Sequence, residues 1–228
     1  MNNIFKKIRN IFLKGGQTEF GQSITSDFEQ YAAMHWGKIE VESEKFIRHY
    51  GNNFENFFYR ADFADFLRKE VLEFRNQSYE DNDFLENNHW KTKHPYNFPG
   101  PFYTDYESDT SATGIGEAPN NVLNDKNSLE YIFKQPKTFV EFLCVIDAAS
   151  VEIFYSYTCN GNDHWTYLQC KLWWKNKNDL LNELNKDGEA KEYIEYLNSS
   201  AETDLRRYCY FLENGIYPKT EIVNLPTL

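Results

Sequence analysis

The chain has 228 residues, of which 41% are hydrophobic and 18% aromatic, and its formal net charge is −11. This length and apolar content suit a single folded domain and argue against a chain that is disordered throughout. The acidity argues against a broad contact with nucleic acid, which needs clustered Lys and Arg. It favours a basic protein partner, although negative charge also keeps an aromatic-rich protein in solution.

Cysteine use and segment hydropathy indicate the compartment. None of the four cysteines belongs to a CxxC pair, so neither a disulfide framework nor a zinc site is predicted. Residues 1–13 carry scattered charges instead of the apolar run of a signal peptide, and no stretch has the length of a membrane span. We therefore expect a cytoplasmic protein with no cofactor, no metal and no transmembrane segment.

The N-terminal segment, residues 1–16, has the pattern of a short basic amphipathic helix. Residues 2–14 place Ile and Phe on one helical face and four Lys or Arg residues around the rest, before a Gly-Gly pair. We favour docking of this helix on the acidic body of the same chain. The alternative is weak association with an anionic membrane surface.

Residues 23–90 have the pattern of a helical part. Apolar residues recur at helical spacing over 23–50, Gly51 interrupts the pattern, and a second amphipathic stretch covers about 54–77. Two helices joined by a tight break form a helical hairpin, and we predict one here.

Residues 91–127 form a long segment interrupted by Pro and Gly, and loops of this length are usually functional or mobile. Its aromatic residues indicate that it packs on the body of the protein. Asp105, Glu107 and Asp109 alternate along it, but the Gly and Glu that an EF-hand loop needs at its sixth and twelfth positions are missing. We therefore predict these three acids as partner-binding residues rather than metal ligands.

The most informative stretch runs from residue 138 to residue 174, where β-branched and aromatic runs predict a three-stranded antiparallel meander. Ala148-Ala149 and Asn160-Gly161 are its predicted turns. Together these turns give one register, with an apolar face for the core and an opposite face that mixes rings with charges. Helices are predicted to follow over 178–186, 188–198 and about 199–214.

The mixed face of the meander is the second candidate surface. Aromatic residues often dominate the energetics of interfaces, so we select four residues of this face as partner-binding. They are Glu141, Glu152, Trp165 and Tyr167. The alternative is that the charges of this face form an ordinary cross-strand pair and its rings support the helices.

The sequence gives only weak evidence for a group of catalytic residues. The five histidines stand apart, without the spacing of a metal-binding pair. Cys159, Asp163 and His164 are the residue types of nucleophilic catalysis. In the predicted register, however, Asp163 points to the opposite face and cannot orient the imidazole of His164.

We predict an α+β fold for one domain, 1–228: an N-terminal helical hairpin, the long loop, a meander over part of 128–228, and C-terminal helices packed on the sheet. The predicted function is non-enzymatic protein–protein interaction. Its most concrete version is an immunity-type protein that neutralises a basic toxin. The alternatives are a hydrolase with its site between the long loop and the sheet, and a peripheral membrane protein that uses residues 2–14.

Overall fold

The computed structural model describes residues 19–75, 85, 89–108, 113–187, 190–219 and 224–228, with the backbone alone for residues 19–33 and 187. The predicted basic helix over 2–14 and the predicted site residue Asp109 lie outside these ranges. Within them, no helix combines the length and the hydropathy needed to cross a membrane.

Helix α1, Glu19–Tyr50, is the long first helix expected from the apolar spacing. Trp36, Ile39 and Phe46 of its apolar stripe are buried. Gly51 ends the helix with a φ of +85°, a conformation that glycine adopts without strain.

The second helix of the predicted hairpin is divided. Its parts are α2, Phe54–Phe58, and α3, residues 63–74, which contains a π-helical turn at Leu67–Val71. After α3, the guanidinium of Arg75 donates to both carboxylate oxygens of Glu42 on α1, over 2.7 and 3.1 Å. The chain therefore turns back along α1, as a hairpin requires.

The central segment, residues 89–133, contains the predicted long loop and several short regular elements. They are a 3₁₀ turn at Trp90–Thr92, strand β1 at Tyr103–Thr104, helix α4 at Thr113–Glu117 and strand β2 at Val122–Asn124. Strand β2 pairs antiparallel with β3, Glu130–Ile132. Because Phe98 and Phe102 are buried, the segment contributes to the core itself.

The predicted meander is not confirmed, because most of its residues are helical. Phe139–Val151, assigned to the first strand and turn, forms helix α5. Thr138 caps this helix, since its Oγ1 accepts the N–H of Glu141 over 3.1 Å. What remains of the second strand is β4, Tyr157–Thr158, which pairs antiparallel with β1. The described residues thus form two small antiparallel sheets among helices, which agrees with the α+β class.

The predicted hairpin turn at Asn160-Gly161 is wrong for the same reason. Gly161 begins the short helix α6, Gly161–His164, and the supposed third strand forms α7, Tyr167–Lys175. Thr166 and Gln169 form a reciprocal capping box at the start of α7. A helix start, not a strand turn, therefore explains the polar residues between the two apolar runs.

The C-terminal helices follow the predicted pattern. They are α8, Lys177–Asp187, α9, Lys191–Leu197, and α10, Ala201–Asn214. Gly215 ends α10 in the left-handed conformation, at a φ of +70°. These helices share a hydrophobic cluster with Leu123 of β2 and Tyr131 of β3, so they pack on the β2–β3 pair rather than on the predicted meander.

Two hydrophobic clusters hold the fold together. The first surrounds α5 and is built largely of rings; Phe57 and Phe142, for example, meet edge to face with centroids 5.1 Å apart. The second lies among α7–α10 and the central segment, where Tyr131 and Tyr193 are fully buried. The central segment lies against both clusters and is therefore fixed on two sides.

Candidate functional site

The central segment meets the chain after α5 at the β1–β4 pair. Tyr103 pairs with Thr158 there, and the N–H of Asp105 donates to the carbonyl of Ser156 over 3.2 Å. We call residues 89–107 and 151–165 together the loop junction. It joins the two regions from which the sequence analysis selected candidate residues.

Glu152 fixes the loop that follows α5. Its side chain is buried, and its carboxylate accepts the N–H of Phe154 over 3.1 Å and the N–H of Ser156 over 2.8 Å. Hydrogen bonds to an ionised group are about twice as strong as neutral ones. The backbone between these two donors therefore has a defined shape.

The apolar loop, residues 151–155, directs large hydrophobic side chains toward solvent. Ile153 is 68% exposed, Phe154 56% and Tyr155 45%. Tyr155 also has a φ of +55°, which is uncommon for a residue with a bulky side chain. Adjacent exposed hydrophobic residues on one loop are typical of an interaction site.

A buried acid–imidazole pair lies beneath this part of the surface. Oδ2 of Asp105, whose side chain is fully buried, contacts Nδ1 of His89. Its Oδ1 accepts the N–H of Glu107 over 2.8 Å. Burial raises the pKa of the Asp105 carboxyl, although the Glu107 N–H and His89 oppose this rise. Among the described residues, Nε2 of His89 meets no hydrogen-bond partner.

Aromatic rings and one lysine adjoin this pair, since Trp90 follows His89 in the chain and Lys93 forms a β-bridge with Asp105. Trp90 stacks on the ring of His164, with centroids 4.9 Å apart, and meets Trp165 edge to face. Nζ of Lys93 lies 4.5 Å from the centroid of Trp90 and 5.5 Å from that of Trp165, a cation–π arrangement. Burial lowers the pKa of the Lys93 amine. The loop junction thus groups ionisable side chains with limited access to water.

The four residues predicted on the mixed sheet face do not share a surface. Glu141 lies in the first turn of α5 and accepts the N–H of Lys137 over 2.7 Å. Tyr167 donates to a main-chain carbonyl near the C-terminus over 2.6 Å. Glu152 and Trp165 belong to the loop junction, but both are buried. The error follows from the wrong meander, because Glu141 and Tyr167 lie in the first turns of two different helices, whereas the other two residues follow the ends of α5 and α6.

The three acids of the central segment also differ in exposure. Asp105 is buried, Glu107 is exposed, and Asp109 lies outside the described residues. The structure therefore brings together Asp105, Glu152 and Trp165 from the predicted set, beneath the surface rather than on it. Partner binding by any of these residues stays a prediction.

Two parts of the loop junction were missed at the sequence level. Ile153, Phe154 and Tyr155 have the composition of a buried strand, so their exposure is not visible in the pattern. The contact between His89 and Asp105 joins two irregular segments with no fixed spacing. The one available signal was an imidazole beside a tryptophan, His89-Trp90, at the border of the long loop.

The Cys159–His164 combination has no catalytic geometry. Cys159 is fully buried in the first hydrophobic cluster, where its Sγ lies 3.6 Å from the carbonyl oxygen of Leu85. Burial raises the pKa of this thiol to about 12, so it is protonated at neutral pH. His164 instead stacks on Trp90 in the loop junction.

A separate group of side chains has the composition of a metal site. His35 of α1, Glu117 of α4 and Asp147 of α5 each offer one donor atom, and the three atoms lie within 4.8 Å of one another. We call these residues the three-helix cluster. The sequence gives no hint of it, because its members are 82 and 30 residues apart along the chain.

Comparison with known proteins does not assign a family or a function to these candidate sites. The chain matches no family model, no curated protein and no solved structure.

Proposed function

We propose that the protein functions by binding a protein partner through the apolar loop, residues 151–155. The supporting observation is the exposure of Ile153, Phe154 and Tyr155 at 68%, 56% and 45% on a loop whose backbone is hydrogen-bonded to Glu152. Large exposed hydrophobic side chains promote unwanted association, so a defined loop that presents three of them favours a binding role.

The shape of the loop reduces the cost of binding. A flexible loop loses conformational entropy when it is immobilised at an interface, by about 0.5–1.5 kcal/mol for each ordered side chain. The carboxylate of Glu152 already restrains the backbone around Phe154. Aromatic side chains add large contact area for few rotatable bonds, which is why they are enriched among energetically dominant interface residues.

The charge of the chain defines the chemistry of the partner. A protein of net charge −11 attracts a basic surface, and the exposed Glu107 lies on the same loop junction as the apolar loop. The proposed partner therefore has an apolar pocket with a basic rim. The concrete form of this proposal is an immunity-type protein that covers the active site of a basic toxin inside the cytoplasm.

The test compares two exposed isoleucines of nearly equal accessibility. Ile153 in the apolar loop is 68% exposed, and Ile216 after α10 is 67% exposed. A partner isolated by affinity purification is identified, purified separately and titrated against wild type, Ile153→Asp and Ile216→Asp. We expect Ile153→Asp to weaken binding by roughly 30-fold or more, as for a hot-spot residue, and Ile216→Asp to change it by less than about threefold.

Three results would contradict the proposal. The first is an equal effect of the two substitutions on the affinity for the partner. The second is an acidic partner, or a dissociation constant that does not rise with salt concentration. The third is self-association of the wild type in light scattering that Ile153→Asp abolishes, because the apolar loop would then bind a second copy. Protection of cells against the purified partner separates immunity from other binding roles.

A second candidate function rests on the His89–Asp105 contact. A carboxylate that contacts Nδ1 of an imidazole orients the ring for proton transfer, as in many hydrolases. Because Nε2 of His89 is buried, hydrolysis here requires that a substrate displace neighbouring side chains to reach it. A panel of chromogenic esters would be hydrolysed by wild type at least 100-fold faster than by His89→Gln, with His49→Gln as the histidine control. Equal rates for wild type and His89→Gln on all substrates would contradict hydrolysis at this site.

A further inference from the structure

We infer that the three-helix cluster, His35, Glu117 and Asp147, binds one divalent transition-metal ion, for which Zn²⁺ is the best match. An imidazole nitrogen with two carboxylate oxygens is a donor set that zinc accepts in proteins. The three side chains come from α1, α4 and α5, so the site depends on the tertiary fold. This inference is independent of the apolar loop and of its partner.

The positions of the donor atoms suit a shared ion. Nε2 of His35 lies 2.9 Å from Oε2 of Glu117, and the donor atoms of all three residues lie within 4.8 Å of one another. Ligands bound to zinc at about 2.0–2.2 Å stand roughly 3.3–3.6 Å apart in a tetrahedral site. The observed separations therefore bracket those that a shared ion requires.

The charge balance of the cluster also favours a cation. Glu117, Asp147 and the nearby Glu42 are three carboxylates, and Arg75, which pairs with Glu42 and Asp147, is the guanidinium among them. With His35 neutral, as a metal ligand must be, these described side chains carry a net charge of −2. One divalent ion neutralises it.

The environment makes this surplus charge costly without an ion. The side chains of His35, Glu117 and Asp147 are 24%, 21% and 16% exposed. Carboxylates removed from water in this way lose part of their hydration energy. A metal ion would relieve the same penalty by direct coordination.

Arg75 holds one of the three proposed ligands in position. Its side chain is 7% exposed, and its Nη2 donates to Oδ1 of Asp147 over 2.8 Å. A carboxylate ligand is commonly oriented by such a hydrogen bond from a neighbouring residue, and Asp147 has a second oxygen for the metal. Three protein ligands leave a coordination position for water, as in zinc sites that are open to solvent.

The test measures metal binding directly on the full chain. Metal-free protein is titrated with ZnCl₂ by calorimetry at pH 7.5, and the bound zinc is counted by mass spectrometry after gel filtration. We expect one ion per chain for wild type. Glu117→Gln and His35→Ala should each weaken binding at least 50-fold, a range seen when a ligand or its support is removed. His49→Gln, on the same helix α1, is the matched histidine control and should bind as wild type does.

Circular dichroism of each variant shows whether the variant is folded, so that a loss of zinc binding is not mistaken for unfolding. Glu117→Gln keeps the shape of the side chain, so it separates coordination from packing. Two results would overturn the inference. One is zinc binding by wild type that is no tighter than binding by folded Glu117→Gln. The other is an equal loss in His49→Gln, which would indicate adventitious binding to surface histidines.

Discussion

The restraint of the apolar loop by Glu152 gives the most direct test of how the loop junction is built. The change is Glu152→Ala, which removes the acceptor of two main-chain N–H groups, those of Phe154 and Ser156. A hydrogen bond to a charged group contributes about 1.5–3 kcal/mol to stability. Removing a buried charge also recovers part of its desolvation penalty. We therefore expect a net loss of roughly 2–4 kcal/mol in the free energy of unfolding.

The assay has two parts, because the loss has a local and a global component. Urea denaturation gives the free energy of unfolding, and hydrogen exchange reports the protection of the amides of Phe154 and Ser156. Glu107→Ala, an exposed acid on the same loop junction, is the control and should change stability by less than about 0.5 kcal/mol. If Glu152→Ala were as stable as this control, with unchanged exchange at both amides, the carboxylate would not hold the loop.

Three further predictions concern the core and its pH dependence. Phe142→Ala should lower the free energy of unfolding by about 3–5 kcal/mol in urea titrations, because Phe142 is fully buried among rings. Gly114→Ala should destabilise by about 2 kcal/mol or more in the same assay, since a Cβ there would collide with Tyr157 and Glu130, whereas Gly116→Ala meets no neighbouring atom within 4 Å and should be tolerated. Burial lowers the pKa of His94 against the opposing effect of Asp125, so the unfolded chain binds the proton more readily. Stability should then fall as the pH drops through about 6.5, and His94→Asn should flatten this slope between pH 7.5 and pH 5.5.

Helix α5 shows why the central prediction from the sequence was wrong. Its residues are rich in Val, Ile and Phe, and short apolar runs of this kind fit a buried strand and a buried helix equally well. The signal that distinguishes them was present in Thr138 and Glu141. A Thr followed three residues later by Glu, directly before an apolar run, marks the start of a helix. Ala148-Ala149, predicted as a turn, is an ordinary pair of helix formers inside α5.

The wrong prediction of a hairpin turn at Asn160-Gly161 has a different cause. This dipeptide favours a two-residue hairpin turn, but it needs two strands beside it. In the structure, a Cβ on Gly161 would collide with the main-chain carbonyl of Gly100. The glycine is therefore required by the close approach of a distant segment, which no local pattern reveals.

Elements with local signals were predicted well. The apolar stripe of α1, its end at Gly51 and the end of α10 at Gly215 all depend on residues close together in sequence. The candidate site depends instead on contacts between distant segments. Composition directed attention to Asp105, Glu152 and Trp165, but their burial follows from packing against residues that the sequence alone does not bring near.

The pairing of β1 with β4 has a consequence for the order of folding. The neighbouring hydrogen bond from Tyr103 to Asn160 joins residues that are 57 positions apart in the chain. Closing a loop of this length costs conformational entropy, which must be lost before the contacts that stabilise the pairing can form. Helices α1 and α5, whose hydrogen bonds are local, can form without this closure. The loop junction should therefore assemble late during folding and open early during unfolding. A nascent chain would therefore display the complete loop junction only after β4 and Asn160 have left the ribosome and reached β1.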